Sequence, residues 1–179
     1  MRAISIGWLA MFVMSACASP ETNPTAAKFP QVQSVVRLAN TWGVVVPLSS
    51  ASAMLHLCRS TGGAVDSFWT PTVQEIEVAE RGIEAYVGAH PPPYRLDPDR
   101  QTEWSGAYML GFGRQYVGVT RGTTRFLLIN VFETARHTEL ADRATRQVIQ
   151  ICDGGSNFIT VEFNETLGQF SFIDYGGTG

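Results

Sequence analysis

The chain is almost without lysine: Lys28 is the only one among 13 basic residues in a sequence of 179. That imbalance reads as codon bias toward arginine, not as an arginine-specific function. Charge of either sign is sparse, 16% of residues with a formal net charge of -3, so nothing predicts binding to nucleic acid or to an anionic bilayer surface. The three histidines, His56, His90 and His137, are scattered, with no second His or Cys at zinc-ligand spacing. They read as structural or surface residues. No Gly-x-Ser-x-Gly, Ser-x-x-Lys, His-Glu-x-x-His, phosphate-loop or dinucleotide pattern occurs. Gly111-Phe112-Gly113 lacks the third glycine of a nucleotide loop and leads into a strand pattern. Asp153-Gly154-Gly155 is too short for calcium, which takes six or more oxygens, and reads as a turn. The sequence therefore assigns no catalytic residue, no metal ligand and no cofactor.

Long hydrophobic runs are missing too. The longest, residues 4–14, falls short of the roughly 20 residues a helix needs to cross a hydrocarbon core of about 30 Å. Arg2 precedes this run and small residues follow it, the layout of a secretory leader. At its exit stands Met14-Ser15-Ala16-Cys17. This resembles the lipobox of bacterial lipoproteins, although the family prefers leucine where Met14 stands. The resemblance covers the first 17 residues alone. It implies cleavage before Cys17, diacylglycerol on the Cys17 thiol and a further acyl chain on its amine. Several acyl chains, each contributing about 0.8 kcal/mol per buried CH₂, would anchor the chain stably. Ala18 lacks the acidic character that signals inner-membrane retention, which implies outer-membrane sorting. Residues 18–31 carry three prolines and no apolar periodicity, as expected of a flexible tether. The expected plan is a signal peptide at 1–16, a lipidated tether at 17–31 and a single globular domain at 32–179.

Beyond the tether the composition is core-forming, for the chain has 45% hydrophobic and 11% aromatic residues. Its remaining cysteines, Cys58 and Cys152, are most simply one disulfide in an exported domain. Buried free thiols and a catalytic thiol are the alternatives. In the chain-entropy view a bridge closing about 95 residues stabilises by about 4 to 5 kcal/mol.

Residues 49–58 show an apolar side, from Ala51 to Leu57, and suggest a helix ended near Gly62-Gly63. A second helix is expected with Thr70 as its N-cap and Pro71 at the first helical position, carrying Val73, Ile76, Ile83 and Val87 at helical spacing. Glu75, Glu77, Glu80 and Glu84 lie largely off that stripe and read as a solvated face. Gly88 should end this helix. Residues 89–100 contain four prolines and form a long irregular loop, with Tyr94 and Arg95 at its tip. Periodicity then changes to two. Strands are expected at 115–121 and 124–132 across Gly122-Thr123, then at 147–152, 158–163 and 169–173, with a weaker one at 43–46. Residues 134–146 read as a loop or short helix. Arg114, Arg121, Arg125, Arg136, Arg143 and Arg146 crowd the strand half, where alternation spreads them over a solvated surface. The expected fold class is α+β, one or two helices on a curved antiparallel sheet built from two hairpins or a meander.

The function expected from these features is a non-enzymatic binding domain on a periplasm-facing lipoprotein, an inhibitor or immunity protein against a cell-wall-active enzyme or toxin. Its partner would be a protein of the cell envelope, its membrane contact the lipid on Cys17, and its contact residues Tyr94 and Arg95. An assembly lipoprotein of an envelope machine and a small envelope hydrolase are the alternatives. Fold class alone does not choose among them.

Overall fold

The computed structural model describes residues 34–38, 41–59, 61–93, 109 and 111–177. In chain order the elements begin with β1 (Val35–Arg37), β2 (Trp42–Val45) and a 3-10 helix (Leu48–Leu55). Next come β3 (Ser67–Trp69) and helix α1 (Val73–Ala89). The hairpin of β4 (Phe112–Arg121) and β5 (Thr124–Glu133) leads to helix α2 (Thr138–Ala144). A short 3-10 turn (Gly155–Asn157) precedes β6 (Phe158–Asn164) and β7 (Gln169–Tyr175).

The strands form one open, mostly antiparallel sheet in the order β1-β2-β4-β5-β6-β7, so the fold is α+β. Its spine is the hairpin expected from the sequence, in register from Phe112↔Glu133 to Arg121↔Thr124. Gly122, at φ +58, makes that two-residue turn possible, because a β-carbon is disfavoured there. One pairing departs from the antiparallel plan. β2 runs parallel to β4 over Gly113–Tyr116, and β3 runs antiparallel along the same edge over Gly118–Thr120. Two short strands thus share one long edge. The chain between them crosses one face of the sheet, and α1 then returns across the other.

Both faces of the central strands are consequently covered, and β4, β5 and β6 are buried almost without interruption. On one face Ile76, Ala79, Ile83 and Val87 of α1 pack on Tyr116, Leu127, Ile129, Val161 and Phe163. On the other, Ala51, Met54 and Leu57 cover Val117, Val119 and Leu128, while Leu140 and Ala144 of α2 cover Phe132 and Phe158.

The helical stripe held, but its start moved. The N-cap is Thr72, not Thr70, because Glu75 three residues on completes a reciprocal capping box. Val73 is exposed, and α1 continues through Gly88 to Ala89. The apolar side at 49–58 folds as a 3-10 helix. Residues 147–152 are not the expected strand. They lie over the sheet face, with Val148 and Ile149 buried in the two clusters on that side. At the outer edge of the sheet the Tyr175 N–H donates to Asp174 Oδ1 at 2.9 Å, and the register shifts between Glu162 and Phe163. Both devices blunt an edge that would otherwise invite another strand.

Candidate functional site

A polar row crosses the sheet in register: Gln115, Asn130, Thr160 and Asp174 occupy neighbouring positions on β4, β5, β6 and β7. Arg59, 6% exposed, lies over it. Its Nε donates to Thr160 Oγ1 at 2.8 Å, its Nη2 to Asn130 Oδ1 at 2.6 Å and its Nη1 to the Ile151 carbonyl at 3.1 Å. Burial lowers the Arg59 pKa to about 10 against the attraction of Asp174, so the guanidinium is still charged at neutral pH. The same row holds residues 147–152 in place. Asn130 donates to the Ile149 carbonyl, and Gln115 donates to the carbonyls of Ala144 and Gln147 and accepts the Ile149 N–H. Side-chain amides therefore satisfy this backbone where a neighbouring strand otherwise would, which is why it lies flat without joining the sheet.

One row further along, Glu162 accepts two bonds from Arg121, at 2.8 and 2.7 Å, and one from the Gly62 N–H at 2.8 Å. A β-carbon at Gly62 would overlap the Glu162 carboxylate, so the close approach of this backbone requires glycine. Arg121 is thus committed to an internal ion pair and is not spread over a solvated surface.

Beneath α1 lies a second polar cluster. Glu80 accepts from the Tyr116 hydroxyl at 3.0 Å and faces Arg114 Nε at 3.5 Å. Arg114 is 1% exposed, and its Nη1 donates to the Phe112 carbonyl at 2.9 Å. Burial raises the Glu80 carboxyl, with Arg114 and Tyr116 pulling the other way; burial and Glu80 raise the Tyr116 phenol strongly. Glu80 and Arg114 thus both leave the solvated sets that alternation and helical spacing predicted for them. The cluster is a clamp between helix and sheet.

At the surface, the start of α1 meets the turn between β6 and β7 along a groove of about 250 Å³, lined by Glu75, Val78, Phe163 and Glu165. Arg125 joins the two carboxylates, at 2.9 Å to Glu75 and 3.2 Å to Glu165, and its guanidinium lies 3.7 Å above the Trp69 ring. Burial raises the Glu165 carboxyl, as does the charge of Glu75, against the pull of Arg125. At Glu75 partial burial acts the same way, but the Thr72 amide and hydroxyl and Arg125 outweigh it and hold the carboxyl below its ordinary value. A second groove, of about 200 Å³, lies among Val35, Arg37, Trp42, Ala141 and Thr145.

Of the residues singled out from sequence, Cys58 and Cys152 are joined in a disulfide with their Cα atoms 5.1 Å apart. Cys17, Tyr94 and Arg95 lie outside the described residues. His56 is exposed, His90 caps α1 and stacks on Tyr86, and His137 precedes α2 and pairs with Glu139. Arg59, Gln115, Asn130 and Thr160 were missed, though the sequence held a signal. A lone Asn130 within Phe-Leu-Leu-Ile-Asn-Val-Phe, buried on both faces, must find partners inside.

Among the described residues no group of three or more His, Cys, Asp or Glu is placed to hold a metal, and no helix is long and apolar enough to cross a membrane. No family model, no protein of curated function and no solved structure matches this chain.

Proposed function

We propose that the protein is an envelope lipoprotein, anchored by acyl chains on Cys17 and facing the periplasm, most simply at the outer membrane. Its domain acts by occupying a protein partner, in the manner of an inhibitor or immunity protein of a cell-wall-active enzyme or toxin. The observation that carries the compartment is the disulfide, whose two cysteines are 94 residues apart and both exposed. An exposed bridge of that kind belongs to an oxidising compartment.

Support for binding comes from the disposition of polar and apolar groups. Arg59, Arg114, Arg121, Glu80 and Glu162 are committed to internal side chains and to the backbone. Val73, Val78 and Leu167, by contrast, stand in solvent at the start of α1 and on the β6–β7 turn. Inward-facing charges and outward-facing valine and leucine suit a scaffold that presents a surface.

The test has two arms. Cys17→Ala should move the protein out of the membrane fraction, whereas the wild type should partition into detergent. Cross-linking in intact envelopes should then yield one partner at constant stoichiometry with the wild type. A Cys17→Ala protein still membrane-bound in high salt would refute the anchor. A wild type that cross-links to nothing and turns over an envelope substrate would refute the binding role.

A further inference from the structure

We infer that the groove between the start of α1 and the β6–β7 turn receives a basic side chain, arginine or lysine, flanked by an apolar residue on a partner protein. This names the partner's chemistry and rests on the binding reading above.

The groove is small. At about 250 Å³ it falls below the roughly 300 to 1,000 Å³ of small-molecule sites, so it suits one long side chain rather than a metabolite. Its lining has two characters. Val78 and Phe163 are apolar, the length an aliphatic stem would cover, while Glu75 and Glu165 are the carboxylates its charged head would meet. Val78, 44% exposed, lines the groove, and Leu167, 64% exposed, stands on the same β6–β7 turn as Glu165, so apolar surface is open to a neighbouring residue of the same segment.

Both carboxylates are already positioned. Glu75 is fixed by the capping box and by Arg125, and Glu165 is fixed by Arg125. Two acids face one arginine, so the groove keeps a negative excess that a second cation would neutralise, and little ordering entropy remains to be lost. Arg125 itself shows the chemistry at work: an arginine with its plane on an aromatic ring and its donors on these two carboxylates. The same excess argues against other occupants. An anionic lipid surface would be repelled, and a second copy joined through this patch about a two-fold axis would bring like charges together. Pro93, beyond the end of α1, and Gly111, before β4, lie at the opposite end of the sheet from the groove.

The experiment is an NMR titration of the purified, disulfide-intact protein with three synthetic pentapeptides: Gly-Leu-Arg-Leu-Gly, its Arg→Glu version and its Leu→Ser version. The first should shift amides confined to residues 73–82 and 162–169. Its affinity should fall at least tenfold with Glu165→Gln plus Val78→Ser, and fall again as salt shortens the screening length from about 10 Å toward 3 Å. The other two peptides should bind at least tenfold more weakly. Equal binding of the Arg→Glu peptide, shifts elsewhere, no binding, or an unaffected double variant would each overturn the inference. So would sedimentation showing a dimer that Val78→Ser dissolves. None of these outcomes touches the cross-linking result, so this inference can fail while the binding reading stands.

Discussion

Arg59 and Arg114 are both withdrawn from water, yet their neighbours differ. Arg59 has neutral oxygens on three sides, and burial lowers its pKa to about 10 against the attraction of Asp174. Arg114 has the Glu80 carboxylate at 3.5 Å, and burial raises that carboxyl against the pull of Arg114 and Tyr116. A raised carboxyl means that the folded protein holds the proton more tightly than the unfolded chain does. Between the ordinary carboxyl value of 4.5 and the raised one, stability therefore falls as pH rises; the contribution is complete below 4.5 and lost above the raised value. Glu80→Gln removes this dependence. In melting curves from pH 4 to pH 8, the wild type should gain on Glu80→Gln as the solution becomes more acid. A difference that is flat with pH, or that grows toward alkaline pH, would contradict the assignment. Helical spacing could not place Glu80 in this clamp, because it sits at the margin of the apolar stripe and its partners are on a strand some 35 residues away (Tyr116 is 36 residues on).

The hairpin of β4 and β5 and the body of α1 were legible because each signal is local: a two-residue turn at Gly122-Thr123, and Ile76, Ile83 and Val87 at helical spacing. Residues 147–152 misled for the opposite reason. Their apolar pattern is that of a strand, but what satisfies their backbone is the amides of Gln115 and Asn130, which no local pattern in 147–152 records. Asn130 is the hinge of this arrangement, since it accepts from Arg59 and donates to Gln115 and Ile149. Asn130→Ala would leave a charged donor and a carbonyl without partners, at a cost of about 2 to 5 kcal/mol by the usual penalties for unmet buried groups. Hydrogen exchange should then speed up first at residues 57–62 and 147–152, with β4 to β6 still protected. Uniform loss of protection across the sheet would show that the row is inseparable from the core.

The disulfide and Arg59 tie the same two stretches of chain. Cys58 adjoins Arg59, and Cys152 adjoins the Ile151 carbonyl that Arg59 binds. The covalent tie acts mainly on the unfolded chain, and for a loop of this length the chain-entropy relation gives about 4 to 5 kcal/mol. The polar tie acts only in the folded state. Replacing both cysteines by serine should therefore lower the urea midpoint by an amount matching that figure, while the fold and the protection of β4 to β6 persist. A change under about 1 kcal/mol would mean that the unfolded chain is already compact without the bridge. The pairing was readable from cysteine parity, and the α+β class from helices grouped before strands. The parallel β2–β4 contact was not readable, because a four-residue strand pairing with one some 70 residues later leaves no periodic trace.

Arg59 also sets a clock. Its three acceptors, on Asn130, Ile151 and Thr160, are all synthesised long after it, and so is the cysteine that Cys58 must meet. A chain emerging from its amino end can form the bridge only once residue 152 is out, and the last of the Arg59 bonds only once residue 160 is out. Before then the first third of the domain can already meet the β4–β5 hairpin, through β2, β3 and the 3-10 helix, but without the complete pair of ties. The amino-terminal layer can thus lie on its sheet well before it is fully fastened there, and the fastening waits for the residues at and just before β6.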